Sequence, residues 1–386
     1  MKALFIHDHI FRLYKDTYYS PGGLPSIVWE RYLNHFKSLS VVSRGCKVNA
    51  LSNSLTCASH DKVRFHLFYQ VRGGLDYYRY RKTIKKVLLP LIQSHDFVIL
   101  RLPSNIGFFA SEICRDLGKC YIVEVVGCSW DSSWNYGTIF HKIIAPYNFF
   151  KTRKIVRNAL SSIYVTQFFL QNRYPNINIT NYASNVQLTD VSISNLNNHI
   201  DLIENSNGII NIGMIGDLNT KFKGYDIALK AMSILKSFNF VFHLVGGGDQ
   251  TYIRSLVKKY DLEDKVNIIG RLQSGGEIFS FLDSLDVYIH PSKQEGLPRA
   301  VIEAMSRACP VLASSVAGIP ELIDLNWLHK PGDSEKLASH LKDFMNNKDL
   351  LKEQATLNFN KSLEYQQDVL NKRRFEFFES SISLNK

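Results

Sequence analysis

Short apolar runs alternate with helix-period segments along most of this chain, and that alternation restricts the fold more than any other feature. Runs at 3–6, 96–100, 121–126 and 162–165 read as strands, with apolar residues at helical spacing over 106–117 and 141–160. The pattern resumes at 209–216 and returns at 266–272 and 287–289. Strands separated by helices pair in parallel, because the chain needs a crossover to begin the next strand at the same edge. An α/β class follows, with ligands outside the carboxyl ends of the strands. At 386 residues the chain is long enough for two such domains, each with its own core.

The stretch from His290 to Glu321 carries the most chemistry. The run Val287-Tyr288-Ile289 stops at His290-Pro291, since proline cannot donate to a sheet ladder and restricts the residue before it. A strand there delivers a loop. Pro298 suits a first helical turn, and Ala300, Val301, Ala304, Met305 and Ala308 recur on one helix face until Pro310. Two carboxylates remain, Glu295 in the loop and Glu303 on the polar side of the helix. Free amides at a helix start favour phosphate, and a carboxylate accepts from both hydroxyls of a vicinal diol. A nucleotide-sugar has both groups. On spacing alone the plainer reading stays open, in which Glu303 pairs with Arg299 and Glu295 is a solvated loop charge.

The whole string resembles the signature of glycosyltransferase family 4, retaining enzymes of the GT-B fold. That pattern is a Pro-Ser at a strand end (Pro291-Ser292), an E-x7-E (Glu295, Glu303), a Pro-Val strand (Pro310-Val311) and a Gly-Ile-Pro-Glu loop (318–321). The likeness is nearly continuous from Ile209 to about Ile323. It implies two Rossmann-like parallel α/β domains facing a cleft: 1–187 for the acceptor, 188–207 as linker, 208–362 for the donor, and 363–386 as a helix returning to the first domain. By the same resemblance Glu303 binds ribose hydroxyls, Glu295 contacts the donor sugar, and backbone amides around Gly296, Leu297 and Pro298 hold the diphosphate with Lys223. Glu295 could instead stabilise positive charge at the anomeric carbon. Glu295 and Lys223 are therefore the expected catalytic pair. Gly22 and Gly23 would face the diphosphate across the cleft, and Arg271 and Leu272 would lie near the base.

Two positions differ from the family. The arginine usual after Gly216 is replaced by Asp217, which leaves Lys221 as the candidate second cation. The histidine usual after the strand at 121–126 has no equivalent, so no histidine-dependent mechanism is carried over. Arg101, Glu124 and Asp131 fall at strand ends on the acceptor side, where Glu124 also reads as a satisfied strand residue and Asp131 as a turn residue. No metal-ligand constellation appears, so the expected chemistry uses no metal and no cofactor beyond a UDP-, GDP- or similar nucleotide-sugar donor.

Charge separates the two halves. Residues 1–185 hold 24 Lys+Arg against 10 Asp+Glu, a net +14, whereas residues 186–386 hold 22 against 25, a net −3. An excess confined to one half argues for an anionic surface meeting one domain, either nucleic acid or a membrane leaflet. No nucleic-acid motif accompanies it. Two basic segments interleaved with aromatics, 77–89 and 149–154, suit helices lying in a headgroup layer, or else solvated helix faces with buried rings. We expect a cytoplasmic protein, peripheral on the inner face of the membrane, acting on a glycan or lipid-linked glycan in surface-polysaccharide synthesis. Its six cysteines, without CxxC or zinc spacing, read as reduced thiols. A sugar-nucleotide epimerase of the same fold and a basic nucleic-acid-binding protein are the alternatives.

Overall fold

The structure is a computed structural model describing residues 1–52, 55–135, 138–206 and 208–385. It comprises two compact units: Met1–Ala183 with Asn371–Lys386, and Ser184–Leu370.

The first unit contains β1 (Lys2–Tyr14), β2 (Thr17–Ser20), β3 (Ser38–Lys47), β4 (Thr56–Cys57), β5 (Val63–Phe68), β6 (Phe97–Leu102), β7 (Ile122–Val125), β8 (Ser161–Tyr164) and β9 (Ile179–Tyr182). Seven of them pair in parallel in the order β5-β3-β1-β6-β7-β8-β9. The first strand is longer than the apolar run at 3–6 suggests. It continues to Tyr14 and folds back through Lys15-Asp16, both at positive φ (43° and 62°), into antiparallel β2. Two left-handed residues are what a tight hairpin of right-twisted strands needs, but Lys-Asp lacks the Asn-Gly signature that announces such a turn. Around β1 an aromatic cluster closes the core, with Phe5 5.7 Å from Trp29 and 5.4 Å from Tyr32 between ring centroids.

The C-terminal helix Gln367–Leu384 starts four residues after the expected boundary at 363, because the chain first completes the Lys348–Ser362 helix and a short turn of helix at Leu363–Tyr365. From Asn371 onward it belongs to the first unit. Phe378 packs edge-on to Tyr32 at 5.7 Å, Glu379 pairs with His35 Nδ1 at 2.9 Å, and Ser381 bonds Ser161 at 2.6 Å. Its basic triplet Lys372-Arg373-Arg374 is mostly used inward. The Arg373 guanidinium lies 4.2 Å from the Tyr182 ring centroid, and Arg374 is buried. Burial, then Arg31, brings the Arg374 pKa down to about 9.

The second unit is a six-stranded, all-parallel sheet of β10 (Ile210–Ile215), β11 (Phe240–Val245), β12 (Val266–Gly270), β13 (Val287–His290), β14 (Val311–Ser314) and β15 (Leu328–His329). Its order is β12-β11-β10-β13-β14-β15. Ile212, Met214, Phe242, Leu244, Val287, Ile289 and Leu312 are all fully buried, which is why these strands read as unbroken apolar runs. The order reverses between β10 and β13. At such a point the loops leaving the two strands diverge and open a crevice for ligand.

The polar stretch expected as a linker, 188–207, is corrected by the structure. Within it Ile193–Glu204 is a helix, opened by a capping box in which the Ser192 and Asn195 side chains satisfy each other's backbone amides. Its Leu196 and Ile203 sit in the core of the second unit. The asparagines that suggested a linker lie on its outer face and at its start. We expect Ile203→Ala to lower unfolding free energy by about 2–5 kcal/mol in urea titrations. A flexible linker would register no more than about 0.5 kcal/mol.

Candidate functional site

At the reversal point β10 ends in Gly216 and a loop whose short helix, Lys221–Lys223, stops at Gly224. Gly224 is left-handed (φ 83°), and a Cβ there would stand 2.0 Å from the carbonyl oxygen of Pro291, on the loop leaving β13. Only glycine permits this approach. Polar contacts then bind the two loops together: Lys293 N–H donates to the Phe222 carbonyl at 2.7 Å, and Ser292 Oγ donates to it at 3.1 Å. Lys293 Nζ reaches Asp226 at 2.8 Å.

This joint presents Lys223 to Glu295. Glu295 Oε1 accepts from Lys223 Nζ at 2.8 Å and from His290 Nε2 at 2.8 Å. The carboxylate is largely buried, with 10 % of the side chain exposed. Burial alone would raise its pKa, but the His290 ring and the Lys223 ammonium outweigh it and bring the group down to about 2. A proton on Nε2 lets His290 donate to Glu295, while its Nδ1 faces the Tyr288 hydroxyl at 3.2 Å. Tyr288 and His290 are two apart on β13, so they share a face of the sheet.

Glu303 has a different environment. Burial raises its pKa, with Arg299 opposing. Among the described residues its carboxylate has no hydrogen-bond partner, and the Arg299 pair that spacing left open does not close to ion-pair distance. The Arg299–Ser306 helix that carries it starts after extended Pro298 with no side-chain cap, so its first amides are open to an external acceptor. Gly296 and Leu297 lead into that helix, and the Gly296 carbonyl accepts from Gly318 N–H at 2.9 Å. The Gly-Ile-Pro-Glu turn thus braces the loop.

Other expected donor residues are more dispersed. Lys221 holds its ammonium 5.2 Å from the Tyr252 ring centroid. Arg271 and Leu272 follow β12 on the same carboxyl edge of the sheet, with Arg271 laid against Gly247. Asp217, where the family has arginine, organises its own turn by accepting from Asn219 N at 2.9 Å and Asn219 Nδ2 at 3.0 Å.

In the first unit Gly22 takes φ 110°, and Gly23 lies beside the His9 ring. His9 Nε2 bonds Ser20 Oγ at 2.9 Å, and that oxygen also accepts from Leu24 N–H at 3.0 Å, fixing the glycine turn. Arg101 and Glu124 face each other on neighbouring strands at 3.0 Å, and Tyr32 donates to the other Glu124 oxygen at 2.8 Å. Both carboxylate oxygens are thus engaged. Asp131 is likewise held, by Arg173 at 3.0 Å. His7, which meets the Arg101 carbonyl at 3.0 Å, and His9 escaped the sequence reading; their spacing of two on one strand face was the available signal. Burial, with Arg101 and other neighbours, lowers both to about 3. His290 and Tyr288 were missed in the same way.

The profile described as "Glycosyl transferases group 1" matches residues 202–360. Protein CapJ of Staphylococcus aureus is 32% identical over 346 residues, spanning 88% of this chain and 85% of CapJ. The amylovoran biosynthesis glycosyltransferase AmsK of Erwinia amylovora is 37% identical over 134 residues, 32% of this chain and 33% of AmsK. Among solved structures, Anabaena HepE in complex with UDP and glucose superposes with a TM-score of 0.68 over 98% of this chain and 100% of that one, at 18% identity. The chain belongs to the group 1 glycosyl transferases, glycosyltransferase family 4, retaining enzymes of the GT-B fold that use nucleotide-sugar donors.

Proposed function

We propose that the protein transfers a sugar from a nucleotide-diphosphate-sugar to a hydroxyl of a lipid-linked oligosaccharide during assembly of a bacterial surface polysaccharide. One observation carries the donor half: Glu295 is held ionised between Lys223 and His290 where the strand order of the second unit reverses. Lys223 and the open amides after Pro298 neutralise the diphosphate. Glu303, without a hydrogen-bond partner among the described residues, accepts from the ribose hydroxyls, and Glu295 accepts from hydroxyls of the transferred sugar. Arg271 and Leu272 flank the base. The bond from the anomeric carbon to the phosphate oxygen breaks as the acceptor oxygen bonds the same face, and the acceptor's proton passes to the leaving phosphate. Lys223 offsets the charge that develops there. With Asp217 in the arginine position and the Lys221 ammonium over the Tyr252 ring, Lys223 is the loop cation that reaches Glu295, so more of that stabilisation falls to the helix amides.

The acceptor half rests on the basic first unit and on AmsK, which is named for amylovoran biosynthesis. We assign the acceptor to that unit and its lipid to an anionic leaflet. Because Glu124 and Asp131 are each consumed by an ion pair, neither serves as acceptor base. The chemistry proposed for the resident groups calls on no metal.

UDP and UDP-sugars are the first probes, since HepE was solved with UDP. Glu295→Gln should cut transfer about 10²–10³-fold while UDP binding stays within a few-fold. Transfer at the wild-type rate would refute the site. Lys223→Ala should weaken both UDP binding by calorimetry and transfer. UDP affinity should also fall as pH drops from neutrality, because Glu303, raised by burial, takes up a proton before Glu295 does. Glu303→Gln should bind more weakly and flatten that dependence; an unchanged profile would remove Glu303 from the nucleotide site.

A further inference from the structure

A cavity of about 910 Å³ opens in the first unit between the Asn105–Asp116 and Ile139–Arg157 helices. Its size lies in the range of roughly 300–1,000 Å³ typical of small-molecule sites. Cys114, Tyr121, Ile155 and Ala159 form a buried, mainly apolar floor. Residues 118–121 and 158–160 line it and lead directly into β7 and β8. The cavity therefore sits at the amino ends of these strands, away from the carboxyl ends that carry Arg101 and Glu124.

The mouth is cationic. Arg115, Lys119, Lys151 and Lys154 surround it. Glu112 at its edge is already surrounded, accepting from Lys85 at 2.8 Å, Arg81 at 3.0 Å and Lys151 at 3.1 Å. Three cations on one carboxylate leave excess positive charge, and they bring the two basic segments of the sequence to a single place. Among the described residues Lys119 and Lys154 have no carboxylate partner. Phosphate alone would satisfy the mouth and leave the floor empty. A neutral hydrocarbon would do the reverse.

A second observation names the source. Along the Ile139–Arg157 helix, Ile139, Ile143, Tyr147 and Phe150 are 78, 72, 54 and 65% exposed. They recur every three or four residues, so they form one stripe about 17 Å long. The stripe ends at the cavity, whose wall includes Tyr147 and Phe150. An exposed apolar stripe bordered by lysines is the pattern of a helix lying in a headgroup layer. Among the described residues no helix is long and apolar enough to cross a membrane.

We propose that this cavity holds one acyl chain of an anionic membrane phospholipid, with the lipid phosphate met by Lys119 and Lys154 and the aromatic-aliphatic stripe resting in the leaflet. The proposal rests on the membrane reading above for the origin of the lipid, and not on the donor site. The chain enters beside Phe150, runs over Ile155 and ends against Cys114 and Ala159.

The test uses the full chain and two kinds of lipid. Short-chain phosphatidylglycerol, kept below its micelle-forming concentration, should bind by calorimetry and tighten about fourfold for each methylene added to the lodged chain. Glycerol phosphate should not bind measurably, and phosphatidylcholine of equal chain length should bind more weakly. Lys119→Glu with Lys154→Glu should weaken phosphatidylglycerol binding at least about tenfold, from roughly fivefold per unit of charge near a phosphate, with UDP binding unchanged. Ile143→Glu should lower co-sedimentation with phosphatidylglycerol vesicles yet leave the monomeric lipid's affinity intact. Binding that ignores chain length, glycerol phosphate binding as tightly, or an unaffected double variant would overturn the proposal. A wild-type chain that binds the monomeric lipid yet fails to co-sediment with phosphatidylglycerol vesicles would overturn the leaflet part of the proposal.

Discussion

A largely buried carboxylate must be paired or it will not stay charged, and in this protein that requirement organises the second unit. Glu295 meets an ammonium and an imidazole on a single oxygen, at 2.8 Å each. Its partners come from different strands, Lys223 after β10 and His290 at the end of β13, so the ion pair forms only if the two loops are held in register. Gly224 against Pro291, together with the hydrogen bonds to the Phe222 carbonyl, supplies that register. A sheet that reversed its strand order elsewhere would send these loops apart.

Much of the second unit was legible because its physics is local and repetitive. Strands buried on both faces have to be apolar throughout, and prolines at 291, 298 and 310 mark strand end, helix start and helix stop at short range. The two carboxylates could be located from spacing, but their environments could not. Whether Glu303 pairs with Arg299 depends on side-chain placement that an i, i+4 spacing only permits. The role of His290 was hidden for a similar reason: a histidine at a strand end is ordinary until the loop five residues later folds back over it.

Elsewhere the misreadings share a cause, which is polar residues doing structural duty. The 193–204 helix is written in Ser, Asn and His and opens with asparagine where a capping box usually has glutamate or glutamine, so it resembles a linker until its Leu196 and Ile203 are seen in the core. The hairpin after β1 uses Lys-Asp. Arg101, Glu124 and Asp131 read as acceptor-side candidates at strand ends, with Glu124 also legible as a satisfied strand residue and Asp131 as a turn residue; the pairing partners Glu124 and Arg173 lie too far along the chain for spacing to show. The excess charge of the first half was plain from counting; that part of it gathers around Glu112 was not, because Arg81 and Lys85 come from one helix and Lys151 from another far along the chain.

The contact between Gly224 and the Pro291 carbonyl also makes the two loops of the second unit a single module. Neither can be exchanged independently: a graft that replaces 216–224 with a relative's loop carries the shape of that relative's partner loop and, with it, the position of its carboxylate. If the proposed donor site is right, donor specificity would pass between relatives only in pairs of loops, and recombination points that preserve it would fall outside the span from β10 to the end of the Arg299–Ser306 helix.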